Sequence, residues 1–203
     1  MGFGGVDVVE KDLVENSNRN RQLYQSTDVG KPKACALLRN LSPYAVWRTS
    51  LRGYYMSFEE WLEQNHAPVH SAIVCAVDNA ASLFNAARYG LSTQTPVVFA
   101  NVSTDGEACR IFIQRPGVKD ACFACYRPHE TFDDRDRPCV PVPAIADILQ
   151  VAVGFAARAL VGEIHGVPIG DYNCRDLTFT GFDIVKQVAK RIDCKICGGL
   201  KSL

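Results

Sequence analysis

Residues 9–22 read Val9-Glu-Lys-Asp-Leu-Val-Glu-Asn-Ser-Asn-Arg-Asn-Arg-Gln22, and the neighbouring segments can be ordered around them. Just upstream, Val6 to Val9 is a short β-branched run closed by Glu10, the pattern of a buried strand. The residues from Glu15 to Gln22 are too rich in Asn and Arg to pack as an element. Gly30-Lys-Pro-Lys33 then opens a helix, with Pro32 in its first turn and Ala34, Leu37, Leu38 and Leu41 facing inward. Strand, polar loop and helix form one repeat of an α/β layer, with acidic and basic residues gathered where the strand ends.

The same alternation continues. Tyr44 to Thr49 is expected as a strand. Phe58 to Gln64 is expected as a short helix, because Ser57 and Glu60 have capping-box spacing. Ala72 to Val77 is apolar and strand-like, and ends at Asp78-Asn79. Ala80 to Tyr89 should be helical and stop at Gly90. Pro96 to Asn101 and Ala108 to Gln114 read as strands, the second with half-buried alternation. A long helix is expected from Pro143 to Val161, halted by Gly162. Strands interleaved with helices give an α/β fold: a Rossmann-like, largely parallel sheet with helices on both faces.

At 203 residues the chain is expected to be a single domain, 1–203. Lys+Arg and Asp+Glu both total 22, so no charge excess points to nucleic acid. The best apolar run, Ile145 to Val161, is interrupted by Asp147, Gln150 and Arg158, so a soluble protein without a membrane span is expected. Nine cysteines fit a disulfide framework poorly, and no secretory signal is visible. A reducing cytoplasm is the expected compartment.

Four of those cysteines form two pairs, Cys122-Phe-Ala-Cys125 and Cys194-Lys-Ile-Cys197. Two such knuckles can give one zinc ion four thiolates and close its coordination sphere, as structural sites do. The pairs could instead be redox dithiols, but no thioredoxin-like pattern surrounds either one. A zinc annex formed by 122–125 and 194–197 is the stronger reading.

Three polar clusters fall at strand ends, where doubly wound sheets hold ligands. Glu10, with Asp12 two residues on, could receive ribose hydroxyls or could be a solvated acidic turn. Asn18, Arg21 and Lys33 could clamp phosphates, although charged loops are commonly just solvated. Asp78 and Asn79 could hold a magnesium ion or simply cap the next helix.

Taken in order, these segments resemble the ThiF/MoeB/HesA adenylyltransferases of the ubiquitin-activating-enzyme superfamily. Ser17-Asn-Arg-Asn-Arg-Gln22 is similar to that family's Ser-Asn-x-x-Arg-Gln signature, Gly30-Lys-Pro-Lys33 to its Gly-x-x-Lys helix start, and Val77-Asp78-Asn79 to its Thr-Asp-Asn. The acidic strand end and the paired knuckles also match in order. The resemblance implies ATP-dependent adenylation of the C-terminal carboxylate of a ubiquitin-like or sulfur-carrier protein. Glu10, where the family more often has Asp, would bind the ribose beside Asp12. Asn18, Arg21 and Lys33 would hold the triphosphate, Asp78 would coordinate Mg2+, and Asn79 would shape its loop. Arg21, Lys33 and Asp78 would be catalytic. Cys139, in the Pro-rich stretch before the long helix, would be a nucleophile that accepts the activated carrier, with Arg135 and Arg137 lowering its pKa; an ordinary loop cysteine is the alternative. A homodimer, or pairing with a paralogue, is also implied.

The family's first strand, Gly-x-Gly-x-x-Gly loop and helix would lie ahead of Gly4, and Met1-Gly-Phe-Gly-Gly5 does not replace them. A start further upstream, a partner that supplies the unit, or a degenerate relative would each explain this. Intact downstream positions favour the first. The competing function is a non-catalytic subunit that binds a carrier or a full-length activating enzyme. The aromatic stretch Arg48 to His70, with Trp47 beside it, could dock a carrier or form a satellite core. Cys35 and Cys75 are expected in the core.

Overall fold

Val6 to Val9 are extended, as the β-branched run requires. β1 (Gly5–Val9) lies parallel to β2 (Ser50–Tyr54), with Gly5 opposite Ser50 and Val9 opposite Tyr54. A parallel pair needs a crossover, and α1 (Lys33–Leu41) supplies it, burying Ala34, Ala36 and Leu38. The computed structural model describes residues 3–64, 70–103, 106–117, 121–128, 146–167, 169–178 and 180–198. The chain divides into two units, Met1–Ala67 and Pro68–Leu203.

In the first unit, Gly53 lies against α1: a Cβ there would approach the Ala34 carbonyl carbon to 3.2 Å and Leu38 Cδ1 to 3.1 Å. Residues 44–49 are not a strand. Pro43 sits in a 3-10 turn (Ser42–Tyr44), and Trp47 and Arg48 adopt φ of 67° and 57°, a left-handed reversal that delays extension until Ser50. α2 (Phe58–Gln64) begins at the expected capping box: Glu60 N–H donates to Ser57 Oγ at 3.1 Å, and Ser57 N–H donates to the Glu60 carboxylate at 2.7 Å. Trp61 is buried against Phe58 and Tyr54. That part of the aromatic stretch is a satellite core, whereas Trp47 is exposed.

The second unit is a five-stranded sheet in the order β3 (Ile73–Cys75), β4 (Val97–Val102), β5 (Ala108–Gln114), β6 (Cys174–Thr178), β7 (Asp183–Lys186). Only β3 and β4 are parallel, joined through α3 (Ala80–Ser92); the remaining pairs are antiparallel. The β4–β5 and β6–β7 connections are too short for crossovers, so those strands turn back as hairpins. Side chains alternate across the sheet. Val98, Ile111 and Ile113 face Ala156 and Ala159 of α5 (Ala146–His165). Phe99 and Phe112 face the other way, onto Phe123 of α4 (Phe123–Tyr126).

Several expectations are corrected. α3 runs through Gly90 to Ser92, and α5 through Gly162 to His165; both glycines serve packing rather than termination. At 19 residues, Asp147–His165 is long and apolar enough by composition to cross a membrane, contrary to the interrupted run read from sequence; in this unit it lies on β4 and β5. Cys75 is buried as expected, but Cys35 is exposed on the outer side of α1. β6 and β7 were not foreseen.

Candidate functional site

Glu10 follows β1 directly. Its N–H bonds to Tyr54 O at 3.1 Å, which extends the β1–β2 ladder, and its carboxylate accepts the Asp12 N–H at 2.9 Å. The strand end thereby folds on itself, with the Glu10 side chain bonding a backbone N–H two residues on. The chain then pairs with the approach to α1. Val14 N–H bonds to Lys31 O, Gly30 N–H to Val14 O and Lys33 N–H to Asp12 O, at 2.8, 2.8 and 2.9 Å. Gly30 makes the turn at φ +81°. The result brings Lys33 Nζ to 2.9 Å from Asp12 Oδ2, with the Lys33 side chain only 16% exposed.

Asn18 and Arg21 belong to the 3-10 turn Asn16–Asn20 and its exit. Asn18 is buried and its side-chain oxygen accepts the Glu15 N–H at 2.9 Å, closing that turn. Arg21 is half-buried, with its guanidinium on Ser17 O at 3.0 Å and Asn20 Oδ1 at 3.1 Å. A residue that sequence reasoning missed fixes this loop to α1. Asp28 is fully buried, accepts the Gln25 N–H and the Asn40 amide at 2.9 and 2.7 Å, and pairs with Arg39. The Gln25 N–H first, then Asn40 and Arg39, hold its carboxyl below the usual range.

In the second unit, Asp78 is exposed just beyond β3. Asn79 N-caps α3, its oxygen accepting the Ser82 N–H at 2.8 Å. The helix-cap reading therefore holds for Asn79, while the Asp78 carboxylate stays open to solvent.

The four knuckle cysteines converge, all buried, with their sulfurs within 4.8 Å of one another. Cys122 and Cys194 lie 3.5 Å apart, Cys125 and Cys197 3.4 Å, and Cys122 and Cys125 3.9 Å. A tetrahedral ion with metal–sulfur bonds of ~2.3 Å needs edges of ~3.8 Å. The donor set fits such a metal with no open position. The Arg191 N–H points at Cys125 Sγ at 3.3 Å. Burial pushes the Cys122 thiol up, and Cys197 up to about 11. Burial opposes ionisation of Cys194 too, but N–H groups of Cys197 and Ile196 outweigh it and bring that thiol down to about 7. Cys109 and Cys174 lie outside the cluster, and burial raises both, Cys174 to about 11. Cys139, with Arg135 and Arg137, lies outside the described residues.

The curated relatives are longer proteins. The adenylyltransferase and sulfurtransferase uba4 of Emericella nidulans is 25% identical over 97% of this chain, which spans 43% of its length. The Nedd8-activating enzyme E1 catalytic subunit of Drosophila melanogaster is 27% identical over 62% of the chain, a match spanning 30% of that protein. Among solved structures, E. coli MccB with MccA-N7isoASN superposes with a TM-score of 0.75 at 19% identity, covering 96% of this chain and 60% of that one. This last likeness concerns the fold. The ThiF family pattern matches residues 1–195, and the chain belongs to the ThiF family.

Proposed function

We propose that the protein uses ATP to adenylate the C-terminal carboxylate of a small ubiquitin-fold or sulfur-carrier protein. The observation that carries this reading is the strand end at which Glu10, Asp12 and Lys33 are held together, in the order of the family motifs. A carboxylate oxygen of the carrier forms a bond to the α-phosphorus, the α–β bridging bond breaks, and pyrophosphate leaves with the electron pair. Glu10, beside Asp12, takes the ribose hydroxyls. Asn18, Arg21 and Lys33 bind the triphosphate and the charge that develops on it. Lys33 is now held by an exposed carboxylate, a weak competitor for a triphosphate.

Asp78 is suited to Mg2+, a hard cation bound through few carboxylates, which would neutralise phosphate charge; Asn79 holds the loop. The four-cysteine cluster takes structural Zn2+. A reducing, cytoplasmic setting is the proposed compartment, because nine cysteines, four of them suited to one metal ion, fit a disulfide framework poorly. A homodimer, or a pair with a paralogue, is the proposed assembly.

The test is carrier-dependent exchange of labelled pyrophosphate into ATP by the native full-length protein, with ubiquitin-fold and sulfur-carrier proteins of the same organism. Exchange that disappears when the carrier loses its terminal residue supports the reading. Carrier binding without exchange overturns it in favour of a non-catalytic subunit. If Cys139 then attacks the acyl carbon and displaces AMP, a thiol-sensitive adduct forms that Cys139→Ala loses while exchange continues.

A further inference from the structure

Two buried amides outside the cysteine cluster are spent on the segments that carry it. Gln114 ends β5 and is 1% exposed. Its Oε1 accepts the Phe123 N–H at 3.0 Å, the amide just after Cys122, and its Nε2 donates to Ala87 O of α3 at 2.8 Å. Asn173 immediately precedes β6 and is 2% exposed. Its amide grips Val188 from both sides: Nδ2 donates to Val188 O at 3.0 Å, and the Val188 N–H donates to Oδ1 at 2.7 Å. Three residues later the Arg191 N–H reaches Cys125 Sγ at 3.3 Å, and the Arg191 carbonyl accepts the Cys194 N–H at 3.3 Å. The two amides are themselves coupled through the sheet, because the Ile113 N–H, next to Gln114, donates to Asn173 O at 2.7 Å.

We propose that Gln114 and Asn173 are positioning residues of the metal centre, each fixing one knuckle to the sheet so that the four sulfurs are gathered before an ion arrives. This rests on the reading that the cluster takes zinc. The first knuckle has its own hydrophobic anchor in Phe123, but a ring between Phe84, Phe99 and Phe112 does not set the rotation of the Cys122–Phe123 peptide. The hydrogen bond from that peptide to Gln114 does. The second knuckle is mostly turn and needs the Asn173–Val188 pair to fix its approach. Partners of this kind, which orient ligands without touching the ion, typically change metal affinity ~10–100-fold when removed.

The experiment titrates the reduced, metal-free protein with Co2+, whose visible spectrum reports tetrahedral sulfur coordination, and then displaces it with Zn2+ under a competing chelator. Gln114→Met and Asn173→Leu should keep the four-sulfur spectrum but bind each metal ~10–100-fold more weakly than wild type. Val98→Ala, a cavity on the opposite face of the sheet, should lower thermal stability and leave metal affinity unchanged. Gln114→Glu and Asn173→Asp, which keep the accepting oxygen, replace the apolar variants should those fail to fold, and a smaller loss is expected of them. Wild-type affinity in the amide variants, or an equal loss in Val98→Ala, overturns the positioning role alone. A wild-type protein that gives no four-sulfur spectrum overturns the zinc reading and this inference together.

Discussion

Lys33 and Asp12 are joined twice: Nζ to Oδ2 at 2.9 Å, and the Lys33 N–H to the Asp12 carbonyl at 2.9 Å. The backbone bond holds α1 to the strand end whatever the side chains do. The ion pair, with Asp12 55% exposed, adds ~0–1 kcal/mol to stability. Lys33→Ala should therefore unfold within ~1 kcal/mol of wild type and lose about 100-fold or more in pyrophosphate exchange. Thermal unfolding and exchange on the same preparation separate the two effects. A large stability loss with normal exchange would make Lys33 structural.

Asp28 gives a pH signature to the loop that precedes α1. Its folded pKa lies below the ordinary value, chiefly through the Gln25 N–H and Asn40. A carboxylate of this kind stabilises the fold fully above the unfolded pKa of ~3.9 and loses that contribution as pH falls from there through the lower folded value. Asp28→Asn should be less stable than wild type at pH 7, with the gap narrowing below about pH 4. Urea midpoints across that range check it; a gap independent of pH would remove the charge from the explanation.

The ordered motifs were legible because each is a short run of residue identities that can be read along the sequence. Glu10, Lys33, Asp78 and the four cysteines could be picked out without knowing any contact. Termination was misread where glycine had two meanings: Gly90 looks like a helix stop, yet its lack of a side chain admits Val97 and Thr95 against α3. The β6–β7 hairpin escaped notice because β7 is exposed along its whole length, so no apolar alternation marks it. Asp28, Gln114 and Asn173 left no local signal. A buried polar side chain is defined by partners distant in sequence, and Asn173 meets Val188 only after a strand pair has formed.

Metal content should follow the cluster and no other thiol. One Zn2+ per chain is expected by elemental analysis, lost in Cys125→Ser and Cys197→Ser and retained in Cys109→Ser and Cys174→Ser, whose sulfurs lie outside the converging set. Stripping the ion should lower the thermal midpoint, since a structural zinc couples directly to folding. Equal zinc loss from Cys174→Ser would mean the site is held differently.

Gly90→Ala sets helix propensity against packing. In an exposed helix interior the change would stabilise by ~1 kcal/mol. Here a Cβ would stand 2.3 Å from Val97 Cγ2, 2.9 Å from the Thr95 carbonyl oxygen and 3.3 Å from Gln114 Nε2. Val97 is completely buried and Thr95 O is backbone, so neither neighbour can swing away. Overpacking of this kind costs ~1–3 kcal/mol, enough to reverse the propensity gain. Gly90→Ala should therefore lower stability, and Gly90→Val should lower it further. Because the crowding reaches the Gln114 amide, Zn2+ binding should weaken along with stability. A stabilised Gly90→Ala protein in denaturant titration would show that α3 can shift off β4, and would put the Gln114–Ala87 hydrogen bond in question with it.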